Sequence, residues 1–206
     1  MNGAGIVKIT DIRAQVKTPG RYSVFVDGKF SFGLSEVALL DAGVRVGQEL
    51  SAPQLAELKQ TAQSDKAYNR ALGLLARRPR SEWEMRDYLK RKDYEQTLID
   101  ATVTRLRDGG WLNDADFARR WVENRRLLKS ISRRRLQQEL KAKRVSDDII
   151  AGVLAEDDTD EAQVLQELII RKRKQTRYQE PEKLMAYLLR QGYNYSDIKE
   201  ALARQE

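Results

Sequence analysis

The chain contains no cysteine and no histidine. Without thiols there is no disulfide framework, no thiolate nucleophile and no cysteine-ligated zinc; without imidazole there is no Ser-His or Cys-His relay, and no side chain whose unperturbed titration falls near neutrality. Most familiar enzyme mechanisms are thereby excluded, and neither a catalytic residue, a metal site nor a cofactor is expected. Long apolar runs are also missing, and the N-terminal MNGAGIVKITD lacks a basic-then-apolar leader. The expected location is cytoplasmic, with no membrane partner.

What is present is charge. Of 206 residues, 33% are charged and 41% hydrophobic, with a net charge of +7. Such a chain can bury a real core, spread over several small units of a mostly helical protein. Residues 1–64 carry seven Lys/Arg and six Asp/Glu, so nearly all the positive excess lies beyond residue 64. Residues 117–145 hold eleven basic residues against Glu123 and Glu139, a local field attractive to phosphates or to an acidic protein groove.

The first fifty residues alternate β-branched or aromatic residues with polar ones in IVKITDIRAQVKT and RYSVFVDGKFSFGL, with turn chemistry at Pro19-Gly20 and Asp27-Gly28. They predict a small β-meander followed by a short helix with Ser35 as N-cap and Gly43 past its end. Ser51 to Gln54 is a capping box that opens the next helix. GVRVGQ has neither the spacing nor the Lys-Ser/Thr ending of a phosphate loop, so this module reads as a docking or packing unit.

From Asp65 the periodicity is helical and the sequence repeats. Leu89, Leu140 and Leu188 align; four residues earlier stand Met85, Leu136 and Leu184, and five later Tyr94, Val145 and Tyr193. Ten later come Ile99, Ile150 and Ile198, and fourteen later Val103, Leu154 and Leu202. The spacing of 51 and then 48 residues suits a three-helix unit, so the fold class expected is mainly α: three tandem three-helix repeats forming an elongated array, preceded by a small β-rich module. The division expected is 1–52 for the β-rich module, 53–108 for a linker helix and first repeat, 109–156 for the second and 157–206 for the third. EDDTDE, residues 156–161, reads as a solvated connection, since consecutive carboxylates lack the alternating pattern of a calcium loop.

The stretch GGWLNDADFARRWVENRR, residues 109–126, concentrates aromatics and arginines. With Asn113 as N-cap, Leu112 and Phe117 take the positions of a hydrophobic staple. On a helical wheel Phe117, Ala118, Trp121 and Leu128 share the inner face, Arg125 snorkels at its edge, and Arg119 and Arg126 point away. In SRRRLQQELKAKR, Leu136 and Leu140 point inward, Arg135 can pair with Glu139, and Arg134 and Lys141 form a stripe that no acidic residue on it neutralises. Lys143 and Arg144 follow, and RKRK at 171–174 adds Arg171, Arg173 and Lys174. These nine, Arg119, Arg126, Arg134, Lys141, Lys143, Arg144, Arg171, Arg173 and Lys174, are the candidate partner- or nucleic-acid-binding residues.

In order along the chain, ALGLLARRPRSEWEMRDYLKRK, GWLNDADFARRWVENRR, LQQELKAKRVSDDIIAGVL and YLLRQGYNYSDIKEAL resemble the RecX family of recombination regulators. FVDGKFSFGLSEVAL and GQELS extend the likeness to the N-terminal module of longer members, so it spans nearly the whole chain. Ser130-Ile131-Ser132 departs from a turn that is often glycine-rich in the family, and Arg144 stands where a Lys-Gly pair is usual. The resemblance implies a non-enzymatic, monomeric protein that binds the RecA-type recombinase filament on single-stranded DNA in its helical groove and inhibits or remodels it, modulating homologous recombination, DNA repair and the SOS response, with direct DNA contact as a further expectation. The rival readings are a general DNA-binding helical protein without recombinase specificity, and a carboxylate-dependent nuclease; no set of acids in the sequence converges on a metal constellation for the latter.

Overall fold

The structure, a computed structural model, describes residues 5–204. The chain divides into two compact units: residues up to 78 together with 86–111, and residues 79–85 together with those from 112 onward.

The first unit opens with an antiparallel sheet. β1 (Val7–Ala14), β2 (Arg21–Val26), β3 (Lys29–Ser35) and β4 (Glu49–Leu50) stand in the order β3-β2-β1-β4. Alternation sends Ile9, Val24, Val26, Phe32 and Leu34 to one face, where all are buried. Asp27 and Gly28, at φ 48° and 76°, make the two-residue turn whose twist matches the flanking strands, and the Asp27 carboxylate accepts from the Lys8 N–H at 3.0 Å. α1 (Glu36–Asp41) is capped by the Ser35 hydroxyl, which accepts from the Ala38 N–H. α2 (Ala52–Leu75) starts on the expected capping box, with the Ser51 N–H donating to Gln54 Oε1 at 2.8 Å and Pro53 in the first turn.

α2 covers the sheet with Leu55, Leu58 and Ala62. Its buried Asp65 ties helix to sheet, accepting from Arg21 at 3.0 Å, from the Ser35 N–H at 2.9 Å, from the Ser35 hydroxyl at 2.5 Å and from Asn69 at 2.7 Å. A buried carboxylate is tolerable only when so fully satisfied. Beyond α2 run α3 (Glu82–Lys90), of which residues 86–90 belong to this unit, and α4 (Gln96–Asp108), whose Ile99, Val103 and Leu106 are buried.

The second unit holds α5 (Asp114–Leu128), α6 (Arg133–Ala142), α7 (Asp147–Ala155), α8 (Glu161–Arg173), a 3-10 turn at Thr176–Tyr178, α9 (Pro181–Arg190) and α10 (Tyr195–Ala203). Two clusters fill it. Phe117, Ala118, Val122, Ile131, Leu136, Leu140, Val145 and Ile150 lie among α5–α7; Leu165, Leu168, Ile169, Leu184, Leu188, Tyr193 and Ile198 lie among α8–α10. The Asn113 cap and the Leu112/Phe117 staple form as predicted: the Asn113 carboxamide oxygen accepts from the Ala115 and Asp116 N–H groups, and both apolar residues are buried.

The leucine columns keep their register in three dimensions. Met85, Leu136 and Leu184 sit one turn before Leu89, Leu140 and Leu188 on the second helix of each repeat, and all six are at most 1% exposed. Ile99, Ile150 and Ile198 open the buried face of the third helix in each. The backbone repeats as well. The residue four past each leucine is left-handed: Asp93 at φ 59°, Arg144 at 59° and Gly192 at 93°. It ends the second helix and lets the next side chain of the column turn back toward the core.

Two expectations are corrected. Leu128 is 71% exposed, because α5 outruns its core and Ile131, three residues later, fills the place instead. The run 156–161 is not simply solvated: Asp157 is buried, Asp160 caps α8 by accepting from the Ala162 and Gln163 N–H groups, and Glu161 accepts from the Arg133 N–H.

Candidate functional site

The cationic residues of the second unit fall into two groups, separated by whether a carboxylate already holds them. Arg126 belongs to the first. Its Nε and Nη2 converge on Asp157 Oδ2 at 3.0 and 2.5 Å and its Nη1 donates to the Ile131 carbonyl at 2.7 Å, leaving its side chain 13% exposed. Burial pushes the Asp157 carboxyl up, but hydrogen bonds from Arg126 and Thr159 and the charge of Arg126 outweigh it, so its pKa is lowered. Lys143 is half-buried and held as well: it pairs with Glu84 at 2.8 Å and lies 5.3 Å from the Trp121 ring centroid. Arg126 and Lys143, read from the sequence as candidate binding residues, are thus already engaged by carboxylates of their own unit.

The surroundings of Trp121 show how such packing forms. Its indole N–H donates to Glu139 at 3.0 Å, Arg125 donates to the same oxygen at 2.6 Å, and the Arg125 guanidinium stacks 4.3 Å from the ring. Arg135 reaches Glu139 only at 3.7 Å, so the expected i,i+4 pair is subsidiary to the Arg125 contact. Trp121 is half-buried and fully engaged, which leaves it no free face for stacking on a base.

Intermediate cases are exposed but held. Arg119 pairs with Asp116 at 2.5 Å and Glu156 at 3.2 Å; Lys141 pairs with Asp147 at 2.9 Å, an acid supplied by α7 that a wheel of α6 alone does not contain. Arg171 donates to the Ser130 hydroxyl at 2.9 Å. Surface pairs of this kind contribute little to stability and exchange readily for another anion.

The second group faces outward without an ion pair to any described residue. It includes Arg134, Arg144 and Lys174 from the predicted set, and also Arg120 and Lys129, which the wheel reading passed over; Arg173, likewise without an ion pair to a described residue, is half-buried. Arg134 makes only a long hydrogen bond to Asn194, at 3.4 Å. On the α5 wheel Arg119 and Arg126 lie near 190° and Arg120 near 300°, about equally far from the apolar arc at 100° per residue. Which flank is engaged is decided by the returning chain at 156–157, which pairs Glu156 with the exposed Arg119 and buries Arg126 against Asp157. Arg120 stays open.

Family models of the RecX N-terminal domain, the first three-helix domain and the second three-helix domain match residues 7–51, 67–106 and 113–154. The regulatory protein RecX of Listeria monocytogenes serotype 4a (strain HCC23) is 32% identical over 201 residues, covering 95% of this chain and 74% of the relative. The chain belongs to the RecX family. Regulatory protein RecX of Lacticaseibacillus paracasei is 30% identical over 201 residues, covering 95% of this chain and 83% of that one. A crystal structure of a regulatory protein RecX superposes with a TM-score of 0.71 at 26% identity, over 94% of this chain and 99% of that one. RecX from Lactobacillus salivarius, at 21% identity and a TM-score of 0.58 over 68% of this chain and 95% of that one, shares the fold. Among the described residues of this RecX chain no helix is long and apolar enough to cross a membrane.

Within the RecX repeat frame Arg144 is the unusual residue. It occupies a left-handed corner that its third-repeat counterpart fills with Gly192, and such a conformation costs a residue with a Cβ about 1–2 kcal/mol. Its guanidinium forms no ion pair with a described residue that would offset this. Arg144→Gly is expected to raise the unfolding free energy by about 1 kcal/mol. A urea midpoint equal to or below that of the parent would show that the arginine side chain stabilises the corner after all.

Proposed function

We propose that this RecX-family chain binds the nucleoprotein filament of a RecA-type recombinase on single-stranded DNA, lodges in the filament groove as a monomer and inhibits or remodels the filament, acting in the cytoplasm on homologous recombination and the DNA-damage response without catalysing a reaction of its own. The observation that carries the reading is the outward set Arg120, Lys129, Arg134, Arg144 and Lys174: exposed cations on helices and helix ends of one compact unit, with no ion pair to a described residue. Membership of a family of regulatory proteins supports a binding role, and the fixed cations suit a surface of phosphates or of protein carboxylates.

Reversing charge tests it. Arg134→Glu with Arg144→Glu is expected to raise the concentration needed for half-inhibition of recombinase ATP hydrolysis on single-stranded DNA by about tenfold or more, with an unchanged circular-dichroism melt. Inhibition by the folded double variant at the parent concentration would remove these residues from the interface. A parallel titration of bare single-stranded DNA at matched ionic strength separates the reading from its rival: equal affinity for bare DNA and for filament would favour general DNA binding.

A further inference from the structure

The first unit carries a groove that the cationic surface does not involve. It has a volume of about 850 Å³ and runs between α1 and α2. On the α2 side it follows one stripe of the helix, from Gln54 through Thr61 and Tyr68 to Leu72, a length of about 27 Å at 1.5 Å per residue. Leu58 and Leu72 give the stripe apolar footholds, and Val37, 65% exposed, adds one from α1. At one end the Arg105 guanidinium is already stacked on the Tyr68 ring at 3.8 Å.

Its charge is opposite to that of the chain as a whole. Glu36 and Asp41 on α1 and Glu57 on α2 line the groove, all three are exposed, and none enters an ion pair with a described residue. The remaining acid, Asp65, is satisfied by Arg21, Ser35 and Asn69. In a protein of net charge +7, three carboxylates without an ion pair to a described residue, around a floor of mixed polar and apolar side chains, are a local inversion of sign.

We infer that this groove is a docking site for a basic amphipathic helix of a partner protein. The helix would lay apolar side chains between Val37, Leu58 and Leu72 and set lysines or arginines against Glu36, Asp41 and Glu57. A helix of about 18 residues matches the five-turn stripe in length, and two helices side by side pack at 8–10 Å between axes. An apolar seam flanked by cations is the pattern that helix-in-groove recognition reads. The site is independent of the recombinase reading, because none of its residues belongs to the outward cationic set.

The probe is a synthetic 18-residue helical peptide of leucine on one face and lysine on the other, added to the 15N-labelled full chain. Backbone shifts are expected to move at Val37, Thr61 and Tyr68 and to saturate, and a scrambled peptide of the same composition should bind at least tenfold more weakly. Glu36→Lys with Glu57→Lys should weaken binding at least tenfold at an unchanged melting temperature, and Asp41→Lys should weaken it in the same direction. Equal binding of the scrambled peptide, shifts concentrated outside α1 and α2, or full affinity in both charge-reversed variants would overturn the proposal.

Discussion

Arg126→Leu is expected to lower the unfolding free energy at pH 7 by about 3–5 kcal/mol, the cost of leaving a buried charge without its partner. Asp157 has a side chain only 7% exposed, and its two oxygens are held by Arg126 and by the Thr159 hydroxyl. Leucine can fill part of the guanidinium's place but supplies no charge. The effect carries its own pH signature. The folded pKa of Asp157 is lowered from 3.8, so in the parent its contribution is fully present above that unfolded value and is lost as pH falls through the folded one. In the variant the same carboxylate, desolvated and unpaired, prefers its protonated form, so acidification relieves it. The gap between parent and variant in urea unfolding should therefore narrow from pH 7 to pH 4. A gap of constant size across that range would mean that packing of the guanidinium, and not its charge, holds the α7–α8 connection.

Gly192→Val should cost about 3 kcal/mol for two separable reasons. At φ 93° a β-branched residue is strained, by about 1–2 kcal/mol. A Cβ there would also meet the Ser132 hydroxyl, the Arg135 Cβ at 2.8 Å and the Arg135 backbone nitrogen at 3.1 Å, which adds an overpacking cost of about 1–3 kcal/mol. Gly43→Val is the control. Gly43 is also left-handed, at φ 61°, but nothing lies within 4 Å of its would-be Cβ, so it reports backbone strain alone. If both variants lose the same stability, the close approach of the α9–α10 corner to the start of α6 is unimportant. If Gly192→Val loses more, that approach fixes how the α8–α10 bundle meets α6, alongside the Ser132 N–H bond to the Gln191 carbonyl at 3.1 Å.

Features determined within a few residues could be read from the sequence. The caps at Ser35, Ser51 and Asn113 use chemistry at offsets of two or three residues, and the structure forms them. The repeat columns were legible because each helix must bury the same turn to make the same bundle. What the wheel could not supply was the neighbour. Arg119 and Arg120 are equally polar and differ only in which flank the chain crosses at 156–157. Lys141 looks unopposed until α7 brings Asp147 beside it. Asp157 looks like one more acid in a polar run, and its burial follows from Arg126, 31 residues earlier. The groove beside α2 escaped notice for a related reason: its stripe mixes polar and apolar residues, and its acidic character arises only where α1 folds alongside.

The three left-handed corners at Asp93, Arg144 and Gly192 have one more implication. A single backbone bend accepts an acid, a base and no side chain at all, so what must be preserved across the repeats is the bend and not its occupant. Only at Gly192 does a neighbour forbid a Cβ. At the other two the chain is free to display any functional group from a point whose direction is set by the main chain, and the middle repeat displays a guanidinium. If Arg144 meets a target as proposed, an arginine held at such a corner would lose less backbone freedom than one on a mobile loop, and the conformational penalty would then be offset on binding.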